Sequence, residues 1–176
     1  MSDAKARKPT ATVEMLQKNR LFQGIGVDTL KLLLDTIQPE LAQPGEWIIR
    51  EGDVSDFMFV VLTGELEVVS HGGGPNADVR VALLGPGDWV GEMALLETNQ
   101  LRSASVRSLA PSDLLRLTAR DLETLIKARD VGLYAQIMAN IARELGRRLR
   151  VADRLIARSS AAIAKQYVLE TIRPKA

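Results

Sequence analysis

Cysteine is absent from the 176 residues of this chain. Disulfides, thiolate metal ligands and cysteine nucleophiles are thereby excluded together. Histidine occurs once, as His71, which rules out a multi-histidine metal centre. Aromatic residues make up only 4% of the chain, so a core drawn from its 46% hydrophobic content must be filled with aliphatic side chains. An excess of charge of either sign is missing too. Lys+Arg 23 against Asp+Glu 22 leaves a net charge of +1, which exerts no global pull on nucleic acid or an anionic membrane. No run approaches the roughly 18 consecutive apolar residues of a membrane span. The opening MSDAKARKPTAT has no apolar stretch and carries Asp3, unlike a secretory signal. These absences describe a soluble, cytoplasmic protein of one domain with an appendage.

What is present falls into blocks. Residues 1–12 are small, polar and basic and read as a disordered tail. From Val13 to Ile37 apolar positions recur at helical spacing, interrupted by the turn QGIGVD at 23–28, with Asp28 expected to cap the second helix. From Pro39 to Leu117 the register changes. The runs EWIIR, FMFVVL, ELEVVS, VRVALL, WVGEM, SASVRSL and DLLRL are separated by glycine-bearing turns such as EGD, TGE and GPGD. Short runs so regularly punctuated predict a closed or rolled antiparallel sheet. From Thr118 the period is helical again. TARDLETLIKA begins with Thr118 and has Asp121 three positions on, the spacing of a capping box. A second helical run, 130–166, is longer than one domain's core requires, and such lengths bridge something. The expected fold class is α+β: an antiparallel β-roll (a double-stranded β-helix or jelly roll) flanked by N-terminal helices and a long C-terminal helix. The expected divisions are 1–12, 13–128 for the roll with its flanking helices, and 129–176 for the long helix.

One stretch of the β block does not read as strand. In GEMALLETNQLRSASV, residues 91–106, ALLE is a poor strand but a good single helical turn. A helix N-terminus presents backbone N–H groups and partial positive charge, and so favours an anion. Gly91 permits close approach of the backbone, and Arg102 brings the forked cation that grips phosphate bidentately. Ser103 offers a hydroxyl beside it, and Ser105 a second. Glu92 would repel a phosphate, yet it becomes sensible if it accepts hydrogen bonds from a hydroxyl on the same ligand. Chemistry alone leaves two readings open: a sugar phosphate or nucleotide held in the roll, or a Glu92–Arg102 salt bridge that closes the loop.

The order of motifs, PGE, EGD, TGELEV and then LGPGDWVGEMALLETNQLRSASV, closely resembles the cyclic nucleotide-binding domain family. That family includes catabolite-activator regulators, kinase regulatory subunits and cyclic-nucleotide-gated channels. The resemblance runs from about Leu21 to Arg158 and implies that the helical turn is a phosphate-binding cassette. By that likeness Arg102 would bind the cyclic phosphate, aided by Ser103 and the backbone N–H of Ala104. Glu92 would take the ribose 2′-hydroxyl, with Gly91, Met93, Ala94 and Leu95 supplying close backbone. The spacing of Glu92 ten positions before Arg102 is that of the bacterial regulators. Val90 departs from the larger side chain many members have there, and HGGGPNAD is a long loop without an assigned role.

The resemblance also bears on the base and the partner. Val68 and Val81 match strand positions that line the base site, and are core valines by the bland reading. RRLRVAD, 147–153, resembles the helix segment that reaches sugar and base, which would put Arg148 near the ribose edge and Asp153 near the base. A carboxylate at Asp153 accepts from the adenine amino group or from two N–H groups of guanine. The ligand expected is cAMP in preference to cGMP, with no cofactor and no metal. Met138, Ile141, Leu145, Ala152 and Leu155 follow a 3-4 spacing broken by Arg148, a seam suited to a second helix. A homodimer through this helix is expected, with the helix also serving as lid. The arginines of 143–158 are interleaved with Glu144 and Asp153, and AAIAKQYVLETIRPKA after Ser160 is too short for the winged helix-turn-helix of the catabolite activators. DNA binding by this chain is therefore not expected. One histidine, no cysteine and no clustered carboxylates argue against a metal-dependent enzyme on a β-roll. The reading is a binding module without enzymatic activity, with a binding-defective structural module or a regulatory part of a larger protein as alternatives.

Overall fold

A computed structural model describes residues 8–71, 78–97, 101–127 and 130–172, with 125–127 and 161–172 described by their backbone alone. The tail expected over 1–12 falls partly outside the described residues, as does most of HGGGPNAD. Helices α1 (Val13–Lys18) and α2 (Val27–Thr36) flank a 3-10 turn at Arg20–Phe22. Thr12 caps α1, its side chain accepting from the Met15 N–H at 3.3 Å. The cap of α2 is Gly26, and Asp28 lies within its first turn, 3.5 Å from Lys31 Nζ. There its charge favours the helix dipole without capping it.

Among the described residues eight strands follow: β1 (Pro39–Ala42), β2 (Trp47–Ile49), β3 (Phe57–Val61), β4 (Leu66–His71), β5 (Asp78–Leu84), β6 (Trp89–Val90), β7 (Ser105–Ser108) and β8 (Ser112–Thr118). They form two antiparallel four-stranded sheets, ordered β1-β8-β3-β6 and β2-β7-β4-β5. The expected β-roll is what forms. The sequence reading missed β1, whose first residue is Pro39. Proline lacks the N–H of a ladder and is tolerated at the start of an edge strand, which is the place β1 occupies.

Between the sheets lies a core of Ala42, Ile49, Phe59, Val61, Leu66, Leu84, Val106 and Leu114. The opposite faces of β3 and β8 are buried as well, through Met58, Val60, Leu115 and Leu117. Burial on both faces explains why FMFVVL reads as an unbroken apolar run. Each such aliphatic side chain contributes about 1.5–3 kcal/mol by leaving water. Gly64 adopts φ +88 in the turn before β4, and a Cβ there would stand 2.6 Å from Ser112 Cα. Only glycine fits. Pairing of β4 with β5 shifts register between Val68 and Val69, which face Ala82 and Arg80, so Val81 is the extra residue of a bulge.

After β8, Thr118 and Asp121 form the expected capping box at α4 (Ala119–Asp121). The chain continues as a π-helical turn, Leu122–Lys127, instead of a regular α-helix. The long helix is α5 (Val131–Ile172), and Asp130 Oδ1 accepts from the Leu133 N–H at 3.1 Å at its start. Two compact units divide inside α5, residues 1–140 and 141–176. The first turns of α5 belong to the first unit. There Asn140 Nδ2 donates to Leu21 O at 2.8 Å and Gln23 O at 3.0 Å. Among the described residues, no helix is long and apolar enough to cross a membrane.

Candidate functional site

The inserted turn between β6 and β7 is helix α3 (Met93–Leu96), as ALLE suggested. Glu92 stands at its N-cap position with φ −60 and ψ −26, and its side chain makes no cap hydrogen bond. The Glu92 side chain is nonetheless withdrawn from solvent, at 4% exposure. Ala94 is buried, Leu95 half-buried, and Met93 and Leu96 are exposed.

Arg102 is held from both ends. Its N–H donates to Asp53 O at 2.9 Å, and its own carbonyl accepts from the Gly52 N–H at 2.9 Å, which ties it to the turn between β2 and β3. The side chain is 7% exposed. Nη1 donates to Gly91 O at 3.0 Å and Nη2 to Phe57 O at 2.5 Å. The guanidinium carbon lies 4.8 Å from the centroid of the Phe57 ring. Nε is buried with no hydrogen-bond partner. Burial lowers the Arg102 pKa, the charges of Glu92, Asp56 and Asp53 raise it, and the like charge of Arg116 lowers it further. A guanidinium so placed remains protonated at physiological pH.

The hydrogen bonds of Arg102 therefore run to neutral carbonyl oxygens, while Glu92 bears on it as a charge through space. The salt-bridge reading had those bonds running to Glu92. Gly91 explains how the guanidinium reaches the turn. At φ +86, a Cβ on Gly91 would lie 2.5 Å from Arg102 Nη1 and 3.2 Å from Ile49 Cδ1. The close approach that glycine permits here is that of Arg102 itself.

Ser103 is exposed and Ala104 half-buried at the entry to β7. The Ser105 hydroxyl accepts from the Glu51 N–H at 2.9 Å and so has a structural partner. Val68 packs against the inter-sheet core, whereas the bulge residue Val81 is 58% exposed. Arg148 and Asp153 are on α5 in the second unit. Arg148 Nε donates to the buried Glu144 at 3.2 Å, and Asp153 is exposed. Sequence reasoning missed Phe57 and Arg116. Their signal is the alternation Phe57–Phe59 and Leu114–Arg116, which places both on inward-facing strand positions.

A helical turn inserted between β6 and β7 and a buried arginine held against it are thus brought together on one β-roll. Residues 39–129 match the family model of the cyclic nucleotide-binding domain, and the chain belongs to that family. The "Cyclic AMP receptor protein" of Thermus thermophilus is 37% identical over 134 residues, covering 76% of this chain and 58% of that protein. "Cyclic nucleotide-gated channel alpha-2" of Bos taurus is 34% identical over 112 residues, 61% of this chain and 16% of the channel protein. The chain thus spans only part of the length of these relatives. Among solved structures, a cyclic nucleotide-binding domain from Methylobacillus flagellatus superposes with a TM-score of 0.71 at 27% identity, covering 83% of this chain and 81% of that one. The Thermus thermophilus Catabolite Activator Protein superposes with a TM-score of 0.68 at 33% identity, covering 81% of this chain and 63% of that one.

Proposed function

We propose that the chain is a cyclic nucleotide sensor in which the α3 turn and Arg102 take the ligand and the long helix answers it. The observation that carries this reading is the state of Arg102. It is a buried cation whose hydrogen-bond partners are two neutral carbonyls and whose Nε has no acceptor. A buried charge left so incompletely compensated costs several kcal/mol, on the order of the penalty known for such ions. Glu92, Asp56 and Asp53 act on it as charges, and a cyclic phosphate supplies the missing acceptor together with a negative charge in direct contact.

The other residues follow from the chemistry of the ligand. Glu92 accepts from the ribose hydroxyl, Gly91, Met93, Ala94 and Leu95 form the wall of the cassette, and Ser103 with the N–H of Ala104 assists at the phosphate. Val68 and Val81 meet the base. Arg148 and Asp153 reach sugar and base from α5. The ligand is cAMP in preference to cGMP, a choice supported by the name and 37% identity of the Thermus receptor. Binding orders the cassette and shifts α5, which also joins two copies as a homodimer and passes the change to a partner. The exposed Leu155 supports that seam. The chain binds its ligand without turning it over. The test is isothermal titration of the purified chain with cAMP and cGMP in parallel. Saturable binding with cAMP ahead is expected. Silence from both, with the protein folded, leaves a structural module and refutes the sensor.

A further inference from the structure

The inner face of the first sheet carries a second cation for which the cassette reading has no use. Arg116 stands directly opposite Phe59 in the pairing of β3 with β8, and opposed residues share a sheet face. Phe59 belongs to the inter-sheet core, so Arg116 points into the roll. An arginine on the inward face of a small β-roll calls for a reason, because an apolar residue would fill the place at less cost.

Its surroundings supply one. The Arg116 guanidinium carbon lies 4.1 Å from the centroid of the Phe57 ring, and that of Arg102 lies 4.8 Å from the same ring. One aromatic ring therefore carries two guanidinium groups. Each has a buried Nε with no acceptor. Phe57 in turn meets Phe59 edge-on, with centroids 5.2 Å apart, which fixes the ring that both cations contact. Like charges brought so near oppose each other, and the charge of Arg116 does disfavour protonated Arg102. Attraction to the ring face offsets part of this repulsion. An anion at Arg102 would remove the rest.

We propose that Arg116 is a positioning residue of the phosphate site: held to Arg102 through the shared ring of Phe57, it adds a second cation to the one a bound phosphodiester meets at Arg102, and so raises the affinity for an anionic nucleotide. This rests on the cyclic nucleotide reading above and extends it to a residue outside the 91–106 stretch.

The experiment compares wild type with Arg116→Met and Arg116→Lys. Methionine keeps an unbranched chain that packs on an aromatic ring but loses the charge, whereas lysine keeps the charge. Each protein is titrated with cAMP and cGMP at low and high salt, and melted with and without ligand. For the nucleotide that wild type binds, R116M should bind about fivefold more weakly, with a flatter dependence on salt. Its ligand-free melting temperature should equal or exceed that of wild type, because a repulsion is gone. R116K should keep most of the salt dependence. If wild type binds and R116M binds within twofold of it with the same salt slope, the proposal fails and the sensor reading stands. A sharp fall in the ligand-free melting temperature of R116M makes Arg116 a packing residue and also overturns the proposal. If wild type binds neither nucleotide, both readings fall together.

Discussion

Replacing Arg102 by alanine removes the Nη1 bond to Gly91 O at 3.0 Å, the Nη2 bond to Phe57 O at 2.5 Å and the stack on the Phe57 ring. The backbone bonds of residue 102 to Asp53 and Gly52 need no side chain and persist. In the ligand-free protein two effects then oppose each other. Two carbonyls lose a charged donor, at about 1–3 kcal/mol each if nothing replaces it. A buried cation with an unsatisfied Nε also disappears, which returns several kcal/mol, on the order of its desolvation penalty. The two are similar in size, so ligand-free stability should change by no more than about 2 kcal/mol. In the complex nothing opposes the loss. A bidentate arginine–phosphate contact consists of two charge-assisted hydrogen bonds of about 1.5–3 kcal/mol each. Their removal should weaken nucleotide binding by about 100-fold or more. Titration calorimetry reads the affinity, and urea unfolding reads the stability. R102A binding within threefold of wild type would refute the reasoning, because a phosphate would then be held by something else. Unfolding of R102A without ligand would refute it differently, by showing that Arg102 is a strut.

Three further outcomes can be checked. Gly91→Ala places a methyl 2.5 Å from Arg102 Nη1 at φ +86, so it should cost about 1–2 kcal/mol in backbone strain and weaken binding by more than that, measured by melting and titration together. Asp153→Ala should change the ratio of cAMP to cGMP affinity; an unchanged ratio leaves Asp153 as a solvated helix residue. Glu144 is held at a pKa of about 2, chiefly by its hydrogen bond to Arg147 and also by Arg148, against burial that opposes its charge. A lowered folded-state pKa contributes stability above the ordinary carboxylate value, and that stability is lost as pH falls from about 4.5 toward 2. Wild type should exceed Glu144→Gln by up to about 3 kcal/mol at pH 7, a gap that narrows on acidification, as urea midpoints across that range will read.

Patterns that depend on neighbours along the chain were legible in the residues themselves. The glycine-punctuated runs announced the strands, Thr118 and Asp121 announced their capping box, ALLE announced a helical turn inside the β block, and 130–166 announced the long helix. Each rests on a period or a spacing of three to four residues, which local backbone geometry sets. Asp28 shows the limit of that reasoning, since the helix begins two residues earlier than a cap at Asp28 requires, with Gly26 at the cap position. Strand β1 shows it again, because a proline at the head of PELA hides a strand that only its pairing with β8 defines. The site depended on distance in space. That Glu92 and Arg102 stand ten positions apart on either side of a helical turn is visible in the chain's residues alone. That the guanidinium reaches Gly91 O and Phe57 O, or that Phe57 also meets Arg116, is not. Gly91 follows β6, Phe57 lies on β3 and Arg116 on β8, and they become neighbours only when β3 pairs with β6 and β8; no local propensity records which distant residues a closed sheet brings together.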